Sequence, residues 1–230
     1  MKYFLGFILL VLINCNSKDE LMQKPNVILI MADDIGFECL SINGSTSYKT
    51  PVLDSLALNG INFTNAISQP LCTPSRVKIM TGKYNFRNYE HFTYLNSNQK
   101  TFGNLFKENG YKTAIVGKWQ LNGIKIKAVE KKISQDNKRP YEFGFDEYSL
   151  WQLTKTKDLG ERFANPLIEQ NGKFLTRNEN AYGPDIVSDY AVDFIKRMEW
   201  LKKKISFRMH SYNNTFDISS GFEVIFCKMF

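Results

Sequence analysis

Residues 72–76 place a thiol, a proline and a guanidinium in a Cys-x-Pro-x-Arg frame: Cys72, Pro74 and Arg76. A structural thiol needs neither companion. Pro74 locks φ and suits the first turn of a helix. That turn offers unpaired N–H donors and positive potential, which favour an anion. Arg76, one turn on, can reach back toward Cys72. Two other features carry chemistry. Asp33-Asp34 closes the apolar run NVILIMA and precedes Gly36. Successive strand residues face opposite ways, so both carboxylates serve one ion only where the strand has ended and the chain turns. Paired carboxylates suit a hard divalent cation such as Ca²⁺; a turn with a helix cap is the other reading. Gly117-Lys118 ends a second apolar run. It brings an ammonium to a strand end, where plain solvent exposure is the alternative.

The elements that must position these residues are legible as alternating strands and helices. Residues 26–32 form an unalternating apolar run, expected to be a central strand buried on both faces. Thr50-Pro51 opens a helix that Asn59-Gly60 ends, with Val52, Leu53, Leu56 and Ala57 as its stripe. Residues 61–66 read as a short strand. A helix follows from Thr73-Pro74 to Gly82, another over 101–109, and a strand over 113–116. The lysine-rich residues 120–140 read as a surface excursion, and Phe143-Gly144-Phe145-Asp146 returns to the core. A long helix over 184–200 presents Ile186, Val187, Tyr190, Ala191, Phe194 and Ile195 on one side. The expected fold class is α/β, a central and mostly parallel sheet flanked by helices. In such sheets, chemistry gathers at the carboxyl ends of the strands, where Asp33, Asp34 and Lys118 fall.

Composition sets further bounds. The chain has 230 residues, 43% hydrophobic and 23% charged, with a net charge of +7. That allows one good core and is ordinary for a globular protein. Part of the basic excess lies in residues 196–208, read either as a solvated helix face or as a surface for anionic substrates. Nucleic acid is not an expected partner, because aromatic interleaving and zinc-ligand spacing are both lacking. The four cysteines, Cys15, Cys39, Cys72 and Cys227, show no disulfide framework. Residues 3–13 form an apolar run after Lys2, too short to span a bilayer and of signal-peptide length. It ends in Leu12-Ile13-Asn14-Cys15, similar to a bacterial lipobox apart from Asn14. The expectation is an exported protein, periplasmic or on a bacterial cell surface, anchored to the membrane by lipid on Cys15. Residues 16–25 would be a polar tether.

Taken together, PNVILIMADDIG, TPVLDSLALNGINFTNA, CTPSR with TGKY, TFGNLFKENGYKTAIVGKW and the GFDEY segment resemble the N-terminal half of a type I sulfatase, in the alkaline-phosphatase superfamily. The likeness covers residues 25–196. It implies that a formylglycine-generating enzyme oxidises Cys72 to an aldehyde, whose hydrate attacks the sulfur of a sulfate ester. It implies Asp33, Asp34 and residue 72 as ligands of a divalent metal, Ca²⁺. Arg76 would hold the formylglycine, and Lys118 would contact the sulfate. Gln120 stands where many members carry histidine; it hydrogen-bonds but carries no proton. The substrate would be a sulfated small molecule or glycan. Residues 26–199 are the expected partial sulfatase domain. Residues 200–230 depart from the family pattern and read as an out-of-frame or divergent tail, in a chain that reads as truncated and of doubtful activity by itself. A phosphodiesterase or phosphonate hydrolase of the same superfamily, and a non-catalytic anion-binding surface lipoprotein, are the competing readings.

Overall fold

The computed structural model describes residues 24–201 and 222–229. The leader, Cys15 and the tether, and most of the 200–230 tail with its lysine run, lie outside the described residues. The strands are β1 (Val27–Ala32), β2 (Tyr111–Lys118), β3 (Glu147–Trp151), β4 (Ile168–Gln170), β5 (Lys173–Phe174) and β6 (Phe222–Met229). The helices are α1 (Pro51–Asn59), α2 (Cys72–Thr81), α3 (Phe102–Glu108), the short α4 (Lys131–Ser134) and α5 (Arg139–Glu142), and α6 (Gly183–Leu201).

The α/β class expected from the sequence is present, with a mixed sheet in the order β1-β6-β2-β3-β4-β5. β2 and β3 pair in parallel. β6 runs antiparallel to both β1 and β2, so β1, β2 and β3 share one direction and present their carboxyl ends at one edge. β6 comes from the tail that the sequence pattern set apart from the domain, yet it lies inside the sheet. The expected strand over 61–66 does not form; those residues are exposed, with a turn at 64–65.

β2 is the hub. Its apolar residues alternate between two layers, as a strand covered on both faces must. On one side Tyr111 and Ile115 pack with Val77, Met80, Leu95, Phe143, Phe145, Tyr148 and Leu150. On the other, Ala114 and Val116 meet Ala191, Phe194 and Met198 of α6. Ala191 and Phe194 belong to the predicted stripe of the long helix, as do Val187, Tyr190 and Ile195 packed at the rim, while Met198 extends it by a further turn. β1 differs from expectation. Val27, Leu29 and Met31 are half-buried, whereas Ile28 and Ile30 are exposed. The α1 stripe is only partly covered: Val52 and Leu56 are exposed, and Leu53 and Ala57 half-buried.

The lysine-rich segment is not a simple excursion. Arg139 within it is fully buried. Its guanidinium donates to Asn122 Oδ1 at 3.2 Å, Ser97 Oγ at 2.7 Å and the carbonyls of Leu95 and Leu121. It also lies over the rings of Tyr94 and Phe143. Burial lowers its pKa from the usual arginine value. One guanidinium thereby ties residues 95–97 to the chain leaving β2. Arg197, in the basic stretch, is engaged within the fold rather than offered to an anionic substrate: it pairs with Glu147 of β3 at 2.6 Å and with Asp193 at 2.7 Å.

Candidate active site

Three strand exits build the site. Just past β1, β2 and β3, the non-glycine residues Asp34, Gln120 and Gln152 adopt positive φ of 61°, 52° and 57°. Left-handed backbone is uncommon for such residues and, where observed, points toward function. Each bend stops the strand and turns the next side chains along the sheet edge. β2 and β3 end in register, Lys118 beside Trp151. Backbone bonds from Trp119 N to Trp151 O and from Gln120 N to Gln152 O carry the pairing past the strand ends.

Helix α2 brings the Cys-x-Pro-x-Arg frame to this edge. It begins at Cys72 itself, two residues before the proline that was expected to open it. Pro74 then occupies the third position, where its missing N–H is no loss, because the first turn has no intrahelical acceptors. Gly82 closes the helix in the left-handed conformation, as expected. Thr73, Ser75 and Arg76 are buried, and Thr73 Oγ1 accepts from Thr93 N at 3.1 Å. The start of α2 is therefore held firmly. Cys72 is half-buried, and its thiol donates to Gln120 Oε1 at 3.0 Å.

Asp33 is the centre of charge. It is 4% exposed. Lys118 Nζ donates to its Oδ2 at 2.7 Å. Arg162 Nη1 donates to the same oxygen at 3.2 Å, and Arg76 Nη2 lies 3.7 Å from Oδ1. Three cations thus face one carboxylate, with side-chain exposures of 1% for Arg76, 11% for Lys118 and 18% for Arg162. The structure brings Asp33, Arg76 and Lys118 together, and Cys72 and Gln120 together, along one edge. Asp34, at the same bend, is exposed.

The expected metal trio is not assembled. Among the described residues no group of three histidine, cysteine, aspartate or glutamate side chains is placed to hold a metal. Asp33 is engaged by cations and Cys72 by Gln120. Two adjacent carboxylates have the right donor chemistry for a hard cation, which takes six or more oxygens, but they do not complete such a site. Residue 72 stands at a helix start, half-buried, with a side-chain acceptor facing it.

Arg162 was not apparent from the sequence. It lies in the irregular segment LGERFANP, with no motif around it. The one signal was its place shortly after a strand that ends at the same sheet edge.

A family model described as Sulfatase matches residues 25–216. The chain belongs to the sulfatase family. It is 31% identical over 187 residues to an N-acetylglucosamine-6-O-sulfatase of Bacteroides thetaiotaomicron, a match covering 80% of this chain and 30% of that protein. Identity to human arylsulfatase D is 33% over 166 residues, 66% of this chain and 27% of that one. An ulvan-active sulfatase of Formosa agariphila is 37% identical over 130 residues, 53% of this chain and 25% of its own. Among solved structures, that of Ps i-CgsB in complex with k-i-k-neocarrahexaose superposes with a TM-score of 0.64 at 28% identity, over 80% of this chain and 44% of that one. This sulfatase-family chain therefore spans about a third or less of the length of these curated relatives. Members of the family generally use a formylglycine and a divalent metal.

Proposed function

We propose that this chain carries the nucleophile and anion-binding half of a sulfate-ester hydrolase acting on sulfated glycans. The observation that supports this most is the convergence at one sheet edge of Cys72 with Gln120, and of Lys118 and Arg76 with Asp33. The glycan class is supported by the relatives, which include an N-acetylglucosamine-6-O-sulfatase and an ulvan-active sulfatase, and by the neocarrahexaose bound in the structural neighbour.

Converted to formylglycine and hydrated, residue 72 would supply an oxygen nucleophile for the ester sulfur. The rest falls to side chains already in place. Gln120 Oε1 accepts a hydrogen bond from the group at position 72 and orients it, but takes no proton. The backbone donors at the start of α2 and the Lys118 ammonium offset charge that develops on the sulfuryl oxygens. Held by Thr93, the helix start is organised before substrate arrives, which is where electrostatic stabilisation is most effective. The calcium site implied by the resemblance is not completed by the described residues.

The test is co-expression with a formylglycine-generating enzyme. Mass spectrometry of the peptide holding Cys72 should show the thiol-to-aldehyde mass loss, and an unmodified cysteine would sink the nucleophile assignment. Paired aryl sulfate and aryl phosphate-diester substrates then separate the reactions. Preference for the diester would favour a phosphodiesterase, and ligand binding without turnover a purely binding role. We further propose export with a lipid anchor at Cys15. Cys15→Ser should release the protein from membranes; unchanged retention and mature mass would count against it.

A further inference from the structure

We propose that residues 61–71 and the outer side of α2 form an interface for a partner polypeptide, one matching the C-terminal remainder of a sulfatase. This rests on the half-enzyme reading above, through the shared fold and not through turnover. Large exposed apolar side chains are unevenly spread over the molecule. Among the described residues, sixteen fall within 28–92, and the five others are scattered over 105–192. Scattered singly, such residues need no explanation; gathered, they mark a surface that something covers. Residues 61–66 show the same want of a partner in their backbone. Ile61 and Phe63 alternate with Asn62 and Thr64, the pattern of a strand with one covered face. A strand persists only where its N–H and C=O groups find a ladder. These residues join no sheet, and β1 stands at the end of the sheet order with one edge unpaired.

The face has a groove of about 610 Å³ between residues 66–69 and α2. Ile67, Ile79 and Tyr84 line it, and Ile67 is 89% exposed. Lys78 and Lys83 line it too, and no carboxylate does. Lys78 lies over the Tyr84 ring at 5.0 Å, and Lys83 donates to Gln99 Oε1 at 2.9 Å. The groove therefore suits an apolar segment flanked by acidic side chains. The length of the relatives points to the source of that segment. This chain corresponds to 30% of the N-acetylglucosamine-6-O-sulfatase, and more than half of the solved neighbour lies outside the superposed part. A fold of that size buries a larger share of its apolar surface than a chain of this length does. A second copy fits less well. It would set the same lysines against each other, on chains that each carry a net charge of +7.

The probe is the part of the Bacteroides thetaiotaomicron N-acetylglucosamine-6-O-sulfatase beyond the matched stretch, made as a separate tagged polypeptide and co-expressed with the 230-residue chain. In a control pair, that sulfatase's own matched stretch takes the place of this chain. A one-to-one complex should co-purify, with slower amide exchange at residues 61–71. Ile67→Asp and Ile79→Asp should each weaken it about tenfold or more. Leu105→Asp and Val192→Asp, at exposed apolar positions outside the face, should change affinity less than about twofold. Circular dichroism shows whether each variant is folded; if Ile79→Asp is not, Ile67→Asp, outside any helix or strand, decides. Association of the control pair without association of this chain would overturn the inference. So would equal losses inside and outside the face. If the control pair fails to associate, the partner is fused to this chain after α6, and slower exchange at 61–71 is required; unchanged exchange overturns the inference. A dimer of this chain alone that Ile67→Asp breaks would give the face to a second copy and overturn it as well. No readout depends on conversion of Cys72, so failure of the nucleophile assignment leaves the interface standing.

Discussion

Asp33 sits among Arg76, Lys118 and Arg162, and its value to the fold is that of a counter-ion. Removing one member of a buried ionic cluster costs more than the cluster contributes, because the remaining charges stay buried and unpaired. Asp33→Asn should therefore lower the unfolding free energy by about 3 kcal/mol, measured by urea titration. Added sulfate should recover more stability in this variant than in the wild type, because a ligand stabilises the state that binds it. Stability equal to wild type would show that the three cations do not depend on the carboxylate.

Among the elements, the exit of β2 matters most, and Arg139 fixes it. Its bonds to the Leu95 and Leu121 carbonyls and to Asn122 hold the bend that contains Gln120. Arg139→Met removes five donors and leaves several buried acceptors unmet, a loss of about 3 kcal/mol or more. Amide exchange at residues 119–122 should speed up well beyond the global change, and uniform acceleration would deny the local role. The sequence pattern showed α2 through its Thr73-Pro74 opening and Gly82 stop, α3 and α6 through their apolar stripes, and β2 as a run ending in Gly117-Lys118. It also showed Cys72, Arg76 and Lys118, because motif and strand end coincide there. Arg139 was hidden: its partners are mostly backbone carbonyls, which no side-chain pattern reveals. Arg162 was hidden because it meets Asp33 through tertiary placement alone. The exposure of Ile28 and Ile30 was unreadable too, since a run apolar on both faces does not tell which face is covered.

The whole molecule has a predictable response to alkali. Burial raises the pKa of Tyr148 and of Tyr190 well above the usual value of about 10, and the Glu147 carboxylate adds to the rise at Tyr190. Tyr148 donates to Asn137 O, and Tyr190 to Glu147 Oε2. Both phenols are kept neutral in the folded state and ionise more easily in the unfolded chain. Their contribution is complete below pH 10 and is lost as pH rises beyond it toward their folded values. Unfolding midpoints should stay level from pH 8 to 9.5 and fall steeply above pH 10. Absorbance at 295 nm should show these tyrosines ionising only with unfolding. Ionisation well before unfolding would contradict their burial.

The seat of β6 between β1 and β2 bears on biosynthesis. β1 leaves the ribosome early, but its partner in the sheet comes from near the other end of the chain. At roughly 5–20 residues per second, that partner arrives on the order of ten seconds later. Until then the hydrogen-bonding edge that β6 will take stands open to other nascent strands. Pairings so distant in sequence also form slowly. Yield in the cell should depend on a holding chaperone that shelters the first strand through that interval, more than on the final stability of the folded chain.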